Sequence, residues 1–299
     1  MKAIIIDTFG GPEVLRSAEV PVPEPGPGQV RVRVVAAGVN GIDGKLRAGV
    51  VPGADLPAVL GIEVAGVVDA LGTGIDDVRV GDTVVGWADP PAGGYAELAL
   101  ASTYAPVPPG LEPVDAVTVP VAGETALRVL RELAVQPGET LLVHGASGSV
   151  GELATQLALA RGVHVVGTAS PDHQARVAAL GATPTTYGPG LVDRVRAAAP
   201  QGVDAVLDTT GRGVLPDSVE LRGGTERIIT IADPAAFALG IAFSSAAQRS
   251  VPELADLLAQ RARGELTTTM GGVFPLADVR SAAELNDAGR GGGKLVLIP

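Results

Sequence analysis

Two hydrophobic patterns divide the chain. Up to about residue 111, short apolar or alternating runs are separated by Gly and Pro, and four prolines between residues 21 and 27 indicate a stiff connector. The alternation of polar and apolar residues at 29–35 is typical of a half-buried strand. The strands of this part are predicted at 2–6, 29–35, 64–70 and 82–87. This pattern favours an all-β, barrel-like domain.

A second pattern begins near Pro120, where strand-like and helical segments alternate. Strands are predicted at 140–144, 163–167, near 187, 203–208 and 227–231, and helices at 121–134, 152–160, 171–180, 192–199, 214–219 and 251–261. This rhythm predicts a doubly wound parallel sheet with helices on both faces, an α/β fold. A last apolar run at 294–298 predicts a strand that returns to the first domain. We therefore predict a discontinuous β domain (1–117 and 265–299) and a dinucleotide-binding domain (118–264).

The turn Gly145-Ala146-Ser147-Gly148-Ser149-Val150-Gly151 joins the strand 140–144 to a helix. Gly145 permits the tight turn, Gly148 lets a pyrophosphate approach the backbone, and Gly151 lets the helix pack closely on the strand. Free N–H groups at the start of the helix point toward the phosphates. A strand, a glycine-spaced turn and a helix in this order predict dinucleotide binding. The predicted cofactor contacts in this turn are Gly145, Ala146, Ser147, Gly148, Ser149 and Val150.

Composition narrows the possible partners. The chain has 299 residues, 46% hydrophobic and 18% charged, which indicates a globular protein. A net charge of −11 without a basic patch argues against nucleic acid and anionic membranes as partners. We find no apolar run long enough for a spanning helix and no secretion signal, so we expect a cytoplasmic protein. Cysteine is absent, and none of the three histidines lies at metal-ligand spacing with another, so we predict no metal site.

Several segments, taken in order, resemble a known family. They are AGVNGID at 37–43, PAVLGIEVAG at 57–66, VGDTV at 80–84, GGYAE at 93–97, VAGETA at 121–126, the glycine turn, and GKLVL at 293–297. In these segments the chain resembles a zinc-independent medium-chain dehydrogenase/reductase of the quinone oxidoreductase branch. The resemblance implies a GroES-like β-barrel domain, a Rossmann domain and an active cleft between them.

The same resemblance bears on the metal. Zinc-dependent relatives place a cysteine near position 40 and a histidine beside Glu63, whereas this chain has Asn40 and Ile62 there. Without a Lewis acid, dehydrogenation of an alcohol is disfavoured. Hydride donation to an acceptor that is already electrophilic, such as a quinone or a conjugated enone, needs less help.

The choice of coenzyme depends on the end of the second strand of the parallel sheet. NAD-specific folds usually place a carboxylate there, and this chain has Thr168-Ala169-Ser170 instead. Ser170 and Tyr187 match family positions that contact the 2′-phosphate. Where the family often has a lysine, this chain offers His173 and, one turn later, Arg176, which could equally lie on a solvated helix face. NADPH is therefore preferred over NADH.

The resemblance also implies residues near the nicotinamide and the substrate. Lys45 is our candidate donor to a developing oxyanion, and the alternative is a solvent-facing lysine paired with Asp43. Asp43 either orients Lys45 or caps a turn. Asn40 holds the nicotinamide amide, the ribose or the substrate carbonyl, and Glu63 is a buried supporting carboxylate. Further cofactor contacts are implied at Asn40, Thr125, Thr168, Thr209, Thr210, Ile231, Ala232 and Lys294.

The expected function is NADPH-dependent reduction of a small-molecule quinone or α,β-unsaturated carbonyl. Two alternatives stay open: an enoyl reductase of secondary metabolism, and a non-catalytic NADPH-binding redox sensor or structural partner. A homodimer is expected, with the strand-like run 239–243 pairing across a two-fold axis at the sheet edge. The alternative is that this run is an internal edge strand or a helix.

Overall fold

The computed structural model describes residues 1–299. It divides into two compact units, one formed by residues 1–121 with 249–299 and the other by residues 122–248. None of the helices combines the length and apolar character needed to cross a bilayer.

Strands dominate the first part of the chain. Its elements are β1 (Lys2–Ile6), β2 (Arg16–Glu19), β3 (Val30–Val39), α1 (Gly41–Arg47), β4 (Ala58–Val59), β5 (Glu63–Leu71), β6 (Thr83–Trp87), β7 (Leu98–Ala101), β8 (Thr103–Pro106), α2 (Pro113–Ala116) and α3 (Pro120–Leu133). The alternation predicted for 29–35 is seen in β3, whose buried positions recur at every second residue before its last stretch becomes fully buried. β3 is central because β5 and β7 both pair with it.

The middle of the chain is a parallel sheet covered by helices. Its elements are β9 (Thr140–His144), α4 (Ser149–Ala160), β10 (His164–Ala169), α5 (Gln174–Ala179), β11 (Thr183–Thr186), α6 (Leu191–Ala198), β12 (Ala205–Asp208), α7 (Leu215–Arg222), β13 (Ile228–Thr230), α8 (Ala236–Leu239) and β14 (Ala242–Phe243). The strand order is β11-β10-β9-β12-β13-β14, and every pairing is parallel. β9 lies inside the sheet and all five of its residues are buried, as a central parallel strand requires.

The C-terminal part completes the first unit. It contains α9 (Val251–Ala262), β15 (Met270–Pro275), α10 (Val279–Asp287) and β16 (Lys294–Ile298). β16 pairs with β3 and gives a seven-stranded sheet of order β15-β16-β3-β5-β6-β8, to which β7 is added on β3. β1 lies between β2 and β4 in a separate three-stranded sheet.

The structure moves the predicted boundary between the domains. We had assigned residues up to 264 to the dinucleotide-binding domain, but α9 belongs to the first unit. The reason is packing: α9 contacts β8, and Arg261 at its end donates to Asp115, 3.1 Å away. A helical pattern alone does not tell which sheet a helix covers.

The run 239–243 is a mixture of the two elements that we had weighed. Leu239 ends α8, and only Ala242 and Phe243 form a strand, β14, which is the last strand at one edge of the parallel sheet. The prediction of a continuous strand there is therefore wrong, because Gly240 takes a left-handed conformation that ends the helix. The prediction of a sheet edge is confirmed.

Candidate active site

The glycine turn between β9 and α4 has the geometry of an anion-binding loop. Gly145 has φ +80°, a conformation that disfavours any residue with a side chain. A Cβ on Gly151 would overlap the carbonyl oxygen of Gly145. Only glycine, which has no side chain, therefore fits at this position in the first turn of α4. Gly148 caps the helix, is exposed, and leaves the first N–H groups of α4 without helical partners. A bound pyrophosphate fits this exposed row of amides.

Two buried side chains hold this turn from below. Thr168 Oγ1 on β10 accepts a hydrogen bond from the N–H of Gly145 at 3.2 Å and lies 3.4 Å from His144 Nδ1. His144 Nε2 lies 3.1 Å from Ser218 Oγ. Burial lowers the pKa of His144 to about 4, so the imidazole is neutral at pH 7. Thr168, which we predicted as a cofactor contact, is thus placed beneath the turn.

Ala146, another predicted cofactor contact, does not lie on the open face of the turn. Its side chain is buried and its N–H donates to the carbonyl of Thr168 at 3.0 Å, so this amide is used within the sheet. Ser147, Gly148, Ser149 and Val150 are at least partly exposed and form the open part of the turn.

The end of β10 presents hydroxyl, imidazole and guanidinium groups. Ser170 Oγ lies 3.2 Å from His173 Nδ1, and Arg176 Nη2 donates to the backbone carbonyl of Ser147 in the glycine turn. This contact ties Arg176 to the turn rather than leaving it on a solvated helix face. Tyr187, just after β11, is 57% exposed. No carboxylate stands at residues 168–170, in agreement with a site for a phosphorylated ribose.

The ends of β12 and β13 meet beside the turn through one carboxylate that we had not singled out. Asp208 Oδ1 accepts from the N–H and the hydroxyl of Thr210, both at 2.8 Å, and its Oδ2 accepts from Thr230 Oγ1 at 2.8 Å. Thr209 Oγ1 donates to the carbonyl of His144. Asp208 is fully buried. It orders the segment 209–211 and, through Thr230, the segment 231–232, so the predicted contacts Thr209, Thr210, Ile231 and Ala232 are brought together. An aspartate at a strand end followed by Thr-Thr-Gly is the signal that could have identified it.

Thr125 lies on α3 and is buried. Its hydroxyl donates to Glu124 Oε2 at 3.3 Å, and Glu124 Oε1 accepts from Arg128 Nε and from the N–H of Gln248, both at 2.8 Å. Glu124 therefore fixes Gln248 in the segment that follows β14.

The first unit holds a buried polar cluster formed by Asn40, Glu63 and Lys294. Lys294 Nζ donates to Asn40 Oδ1 at 2.5 Å and to Glu63 Oε1, and Asn40 Nδ2 donates to the same Glu63 oxygen at 2.8 Å. Glu63 Oε2 accepts from the N–H of Val121 in the first turn of α3 at 2.8 Å. Lys294 is only 1% exposed, and its ammonium is used within this cluster. It presents no exposed surface for the direct cofactor contact that we predicted. Glu63 is fully buried, as predicted.

Asp43 lies next to this cluster on α1 and is also buried. Its Oδ2 accepts from the N–H of Asn40 at 2.9 Å and from the hydroxyl of Tyr95 at 3.1 Å. The first contact is half of a capping box at the start of α1, so of the two roles we weighed the structure shows the cap. Burial raises the pKa of Asp43 to about 6, and burial also raises the pKa of Tyr95 well above its ordinary value. Asp43 Oδ1 has no hydrogen-bond partner.

Lys45 is on the same helix and is half-buried. α1 itself was not predicted, because two of its seven residues are glycine, a weak helix former. The capping box of Asn40 and Asp43 compensates for this composition. Throughout the chain, no group of three or more His, Cys, Asp or Glu side chains is arranged to hold a metal ion.

Comparisons with known proteins agree with both halves of this architecture. The family model described as alcohol dehydrogenase GroES-like domain matches residues 26–109, and the one described as zinc-binding dehydrogenase matches residues 149–245. The quinone oxidoreductase of Sus scrofa is 30% identical over an alignment that covers 100% of this chain and 98% of that protein.

Solved structures give the same result. The quinone oxidoreductase of Coxiella burnetii has a TM-score of 0.90 and 33% identity, and the match covers 100% of this chain and 99% of that one. The Escherichia coli quinone oxidoreductase, solved in complex with NADPH, has a TM-score of 0.89 and 25% identity, with 100% of both chains covered. The predicted GroES-like and Rossmann folds are thereby confirmed. The chain is an enzyme of the medium-chain dehydrogenase/reductase family and belongs to its quinone oxidoreductase branch.

Proposed function

We propose that this protein is a zinc-independent, NADPH-dependent reductase that transfers hydride to a quinone or an α,β-unsaturated carbonyl. The observation that carries the proposal is the exposed glycine turn at the start of α4, found in a chain of an oxidoreductase family. Relatives named quinone oxidoreductase, and the E. coli enzyme solved with NADPH, support the choice of acceptor and coenzyme.

The second unit supplies the coenzyme site in this proposal. The free amides of Ser149 and Val150 bind the pyrophosphate, with the helix dipole of α4 adding a favourable field. Ser170, His173, Arg176 and Tyr187 bind the 2′-phosphate, to which guanidinium and hydroxyl groups donate strong hydrogen bonds. The contact of Arg176 with the Ser147 carbonyl holds the guanidinium next to the turn that binds the pyrophosphate.

Bound NADPH supplies the hydride. With an enone, hydride addition to the β-carbon moves negative charge onto the carbonyl oxygen, and a proton must then reach the α-carbon or the oxygen. Lys45 is the proposed donor to this oxygen, since a half-buried ammonium stabilises an oxyanion more than a fully hydrated one. Asn40 helps to orient NADPH and the enone. No metal takes part in these steps, and turnover should be unaffected by a strong chelator.

The proposal is tested by following the loss of NADPH absorbance with benzoquinone, a linear enone and an aldehyde, each repeated with NADH. We expect turnover with the quinone or the enone and little with the aldehyde, whose carbonyl lacks the activation of a conjugated acceptor. Turnover of none of them, despite binding of NADPH in calorimetry, would contradict the proposal and favour a sensor. Turnover of thioester-linked enoyl substrates in preference to free quinones would favour the secondary-metabolism alternative.

Lys45→Ala tests the proposed donor. We expect kcat for the enone to fall about a hundredfold, the usual size of a general-acid or oxyanion contribution. Lys2→Ala is a matched control, because Lys2 is an exposed lysine on β1 of the same unit. An unchanged kcat in the Lys45 variant would remove this residue from the mechanism and leave the rest of the proposal standing.

Arg176→Ala tests the coenzyme preference. We expect the KM for NADPH to rise about tenfold or more and the KM for NADH to change little, because only NADPH carries the 2′-phosphate. Arg196→Ala is the control, since Arg196 is an exposed arginine of the same unit that pairs with Glu220. Equal effects on both coenzymes would mean that Arg176 only supports the turn.

We also propose that two copies associate through the edge strand β14. An edge strand offers unpaired backbone groups to a partner, and next to it Phe237 is 74% exposed and stacks on Phe243 with 5.3 Å between ring centroids. Light scattering coupled to gel filtration should give a dimer for the natural chain and a monomer for Phe237→Asp. Val22→Asp, at an exposed residue far along the chain, should leave the dimer intact.

A further inference from the structure

The guanidinium of Arg194, on α6, lies among four consecutive backbone carbonyls. Nη1 donates to the carbonyl of Pro189 at 2.8 Å, and Nη2 donates to that of Thr186 at 2.9 Å. Nη2 also donates to the carbonyls of Gly188 at 3.2 Å and Tyr187 at 3.3 Å, and Nε donates to that of Thr186 at 3.3 Å. One half-buried side chain thereby holds four carbonyls in a row.

The segment that this guanidinium holds, residues 186–189, leads from β11 into α6 and is exposed from Tyr187 onward. Gly188 has φ +88°, a conformation that disfavours residues with a side chain. Ordering an exposed segment that contains a glycine costs much backbone entropy. A guanidinium offsets this cost well because it presents five donors in a rigid, planar fork, whereas a lysine presents three donors on a single atom.

Strand register brings this segment to the end of the sheet where the glycine turn lies. Ala169, at the end of β10, pairs with Thr186, at the end of β11, and β10 pairs in parallel with β9, which leads into the turn. Ser170 and Tyr187 follow these two residues, so both lie at the carboxyl ends of the strands, within the second unit. A dinucleotide whose pyrophosphate binds the turn places its adenosine ribose at the end of β10.

Two side chains divide the work of fixing this end of the sheet. Gln174 Nε2, on α5, donates to the carbonyl of Ser170 and to that of Thr185, both at 3.1 Å, and so ties β10 to β11. Beyond Thr185, the carbonyls are held by Arg194. The backbone position of Tyr187 therefore depends on Arg194.

We propose that Arg194 is a positioning residue for NADPH, which holds the backbone of residues 186–189 so that Tyr187 can donate its hydroxyl to the 2′-phosphate. All three nitrogens of Arg194 donate to carbonyls of this segment, so its effect on the phosphate is exerted through Tyr187. This inference rests on the proposed function, in which Tyr187 binds the 2′-phosphate, and it adds a residue that determines the preference for NADPH over NADH.

The main test is Arg194→Met, which leaves the exposed carbonyls to water, with folding checked by circular dichroism. We expect calorimetry to show that NADPH and adenosine 2′,5′-bisphosphate bind about tenfold more weakly, since a hydrogen bond to a charged group is lost. NADH should bind within about twofold of its affinity for the natural protein, because it has no 2′-phosphate. Arg196→Ala is the matched control, since Arg196 is an exposed arginine of the same helix that pairs with Glu220. Equal weakening of NADPH and NADH would show that Arg194 only supports the fold, and would overturn the proposal.

Arg194→Lys separates the positioning of the segment from the positive charge, and it also serves if Arg194→Met does not fold. The ammonium keeps the charge but lacks the fork, so we expect NADPH binding to remain about fivefold weaker than in the natural protein. Binding as tight as that of the natural protein would show that a charge at this place is sufficient, and the inference would then be wrong.

A double-mutant cycle shows whether Arg194 acts through Tyr187. Tyr187→Phe alone should weaken NADPH binding about as much as Arg194→Met, and the two changes together should weaken it no further. Effects that multiply would overturn the proposal. Natural protein that binds neither coenzyme would contradict the proposed function, whereas NADPH binding that Arg194→Met leaves unchanged would contradict this inference alone.

Discussion

The glycine turn of the second unit and the Asn40 cluster of the first unit are built from different groups. In the second unit, the glycine turn presents backbone amides, and the side chains beneath it are neutral: Thr168, Ser218 and a histidine whose pKa is lowered by burial. In the first unit, the buried groups are charged or chargeable side chains, Lys294, Glu63 and Asp43, arranged around one amide. A backbone site is fixed by the conformation of a short segment, whereas a side-chain cluster depends on every partner being present. The first should tolerate many side-chain changes, and the second very few.

The largest effect is expected from breaking the buried ion pair. Lys294→Met alone leaves Glu63 charged and fully buried, and we expect the free energy of unfolding to fall by about 3–5 kcal/mol. Trp87 is the only tryptophan and is buried in the first unit, so its fluorescence in urea reports on this unit. Adding Glu63→Gln should recover most of the loss. A single variant as stable as the natural chain would mean that water or relaxation compensates the carboxylate.

The second-largest effect is the change in the stability of the second unit with pH. Because the pKa of His144 is about 4 in the folded state and near 6.5 when unfolded, the unfolded chain takes up the proton first as the pH falls. The stability provided by the neutral ring is complete above pH 6.5 and is lost toward pH 4, by roughly 3 kcal/mol. His144→Gln does not titrate, so its stability relative to the natural chain should improve over this interval. Urea unfolding followed by circular dichroism at several pH values measures this difference.

The stability of the first unit should change with pH in the opposite direction, and by slightly less. The pKa of Asp43 is about 6 when folded and 3.8 in the reference state, so the unfolded chain ionises first as the pH rises. Asp43 therefore stabilises the fold below about pH 4 and loses this contribution, at most about 3 kcal/mol, as the pH rises to 6. Asp43→Asn mimics the protonated carboxyl, and its stability relative to the natural chain should increase from pH 4 to pH 6 in Trp87 fluorescence. A constant difference would show that Asp43 is ionised throughout.

The smallest effect is expected for a substitution in the glycine turn, which should tolerate added side chains best. A Cβ on Gly148 would lie 3.4 Å from the carbonyl oxygen of Gly145, an ordinary contact, so Gly148→Ala should keep the stability of the natural protein. The methyl group faces the approach of the pyrophosphate, and we expect NADPH binding to weaken about tenfold, about 1.4 kcal/mol. Gly224→Ala is the control, because a Cβ there meets nothing within 4 Å. Unchanged binding in the Gly148 variant would place the pyrophosphate elsewhere.

The sequence predicted these two regions unequally, for a physical reason. The strand at 140–144, the glycine turn and α4 are contiguous, so local patterns specify the whole element, and the strand bounds agree with β9. Asn40 and Lys294 are 254 residues apart, and only the pairing of β16 with β3 brings them together. Lys294 was predicted from its motif as a cofactor contact, because a motif shows which residue is present and not which way its side chain points. Asp208 was missed for the same reason, since its partners on β13 come from a different strand.

The buried ammonium of Lys294 has a consequence for the redesign of this scaffold. Introducing Asn40→Cys and Ile62→His would restore the ligand types of zinc-dependent relatives, but a dication placed beside Glu63 would meet a fixed positive charge. The cluster of Asn40, Glu63 and Lys294 thus already contains its own cation, the ammonium of the first residue of β16. Conversion to a metalloprotein therefore calls for a third change, Lys294 to a neutral side chain, which together with Asn40→Cys leaves Oε1 of Glu63 open to a metal while Oε2 still accepts from the N–H of Val121.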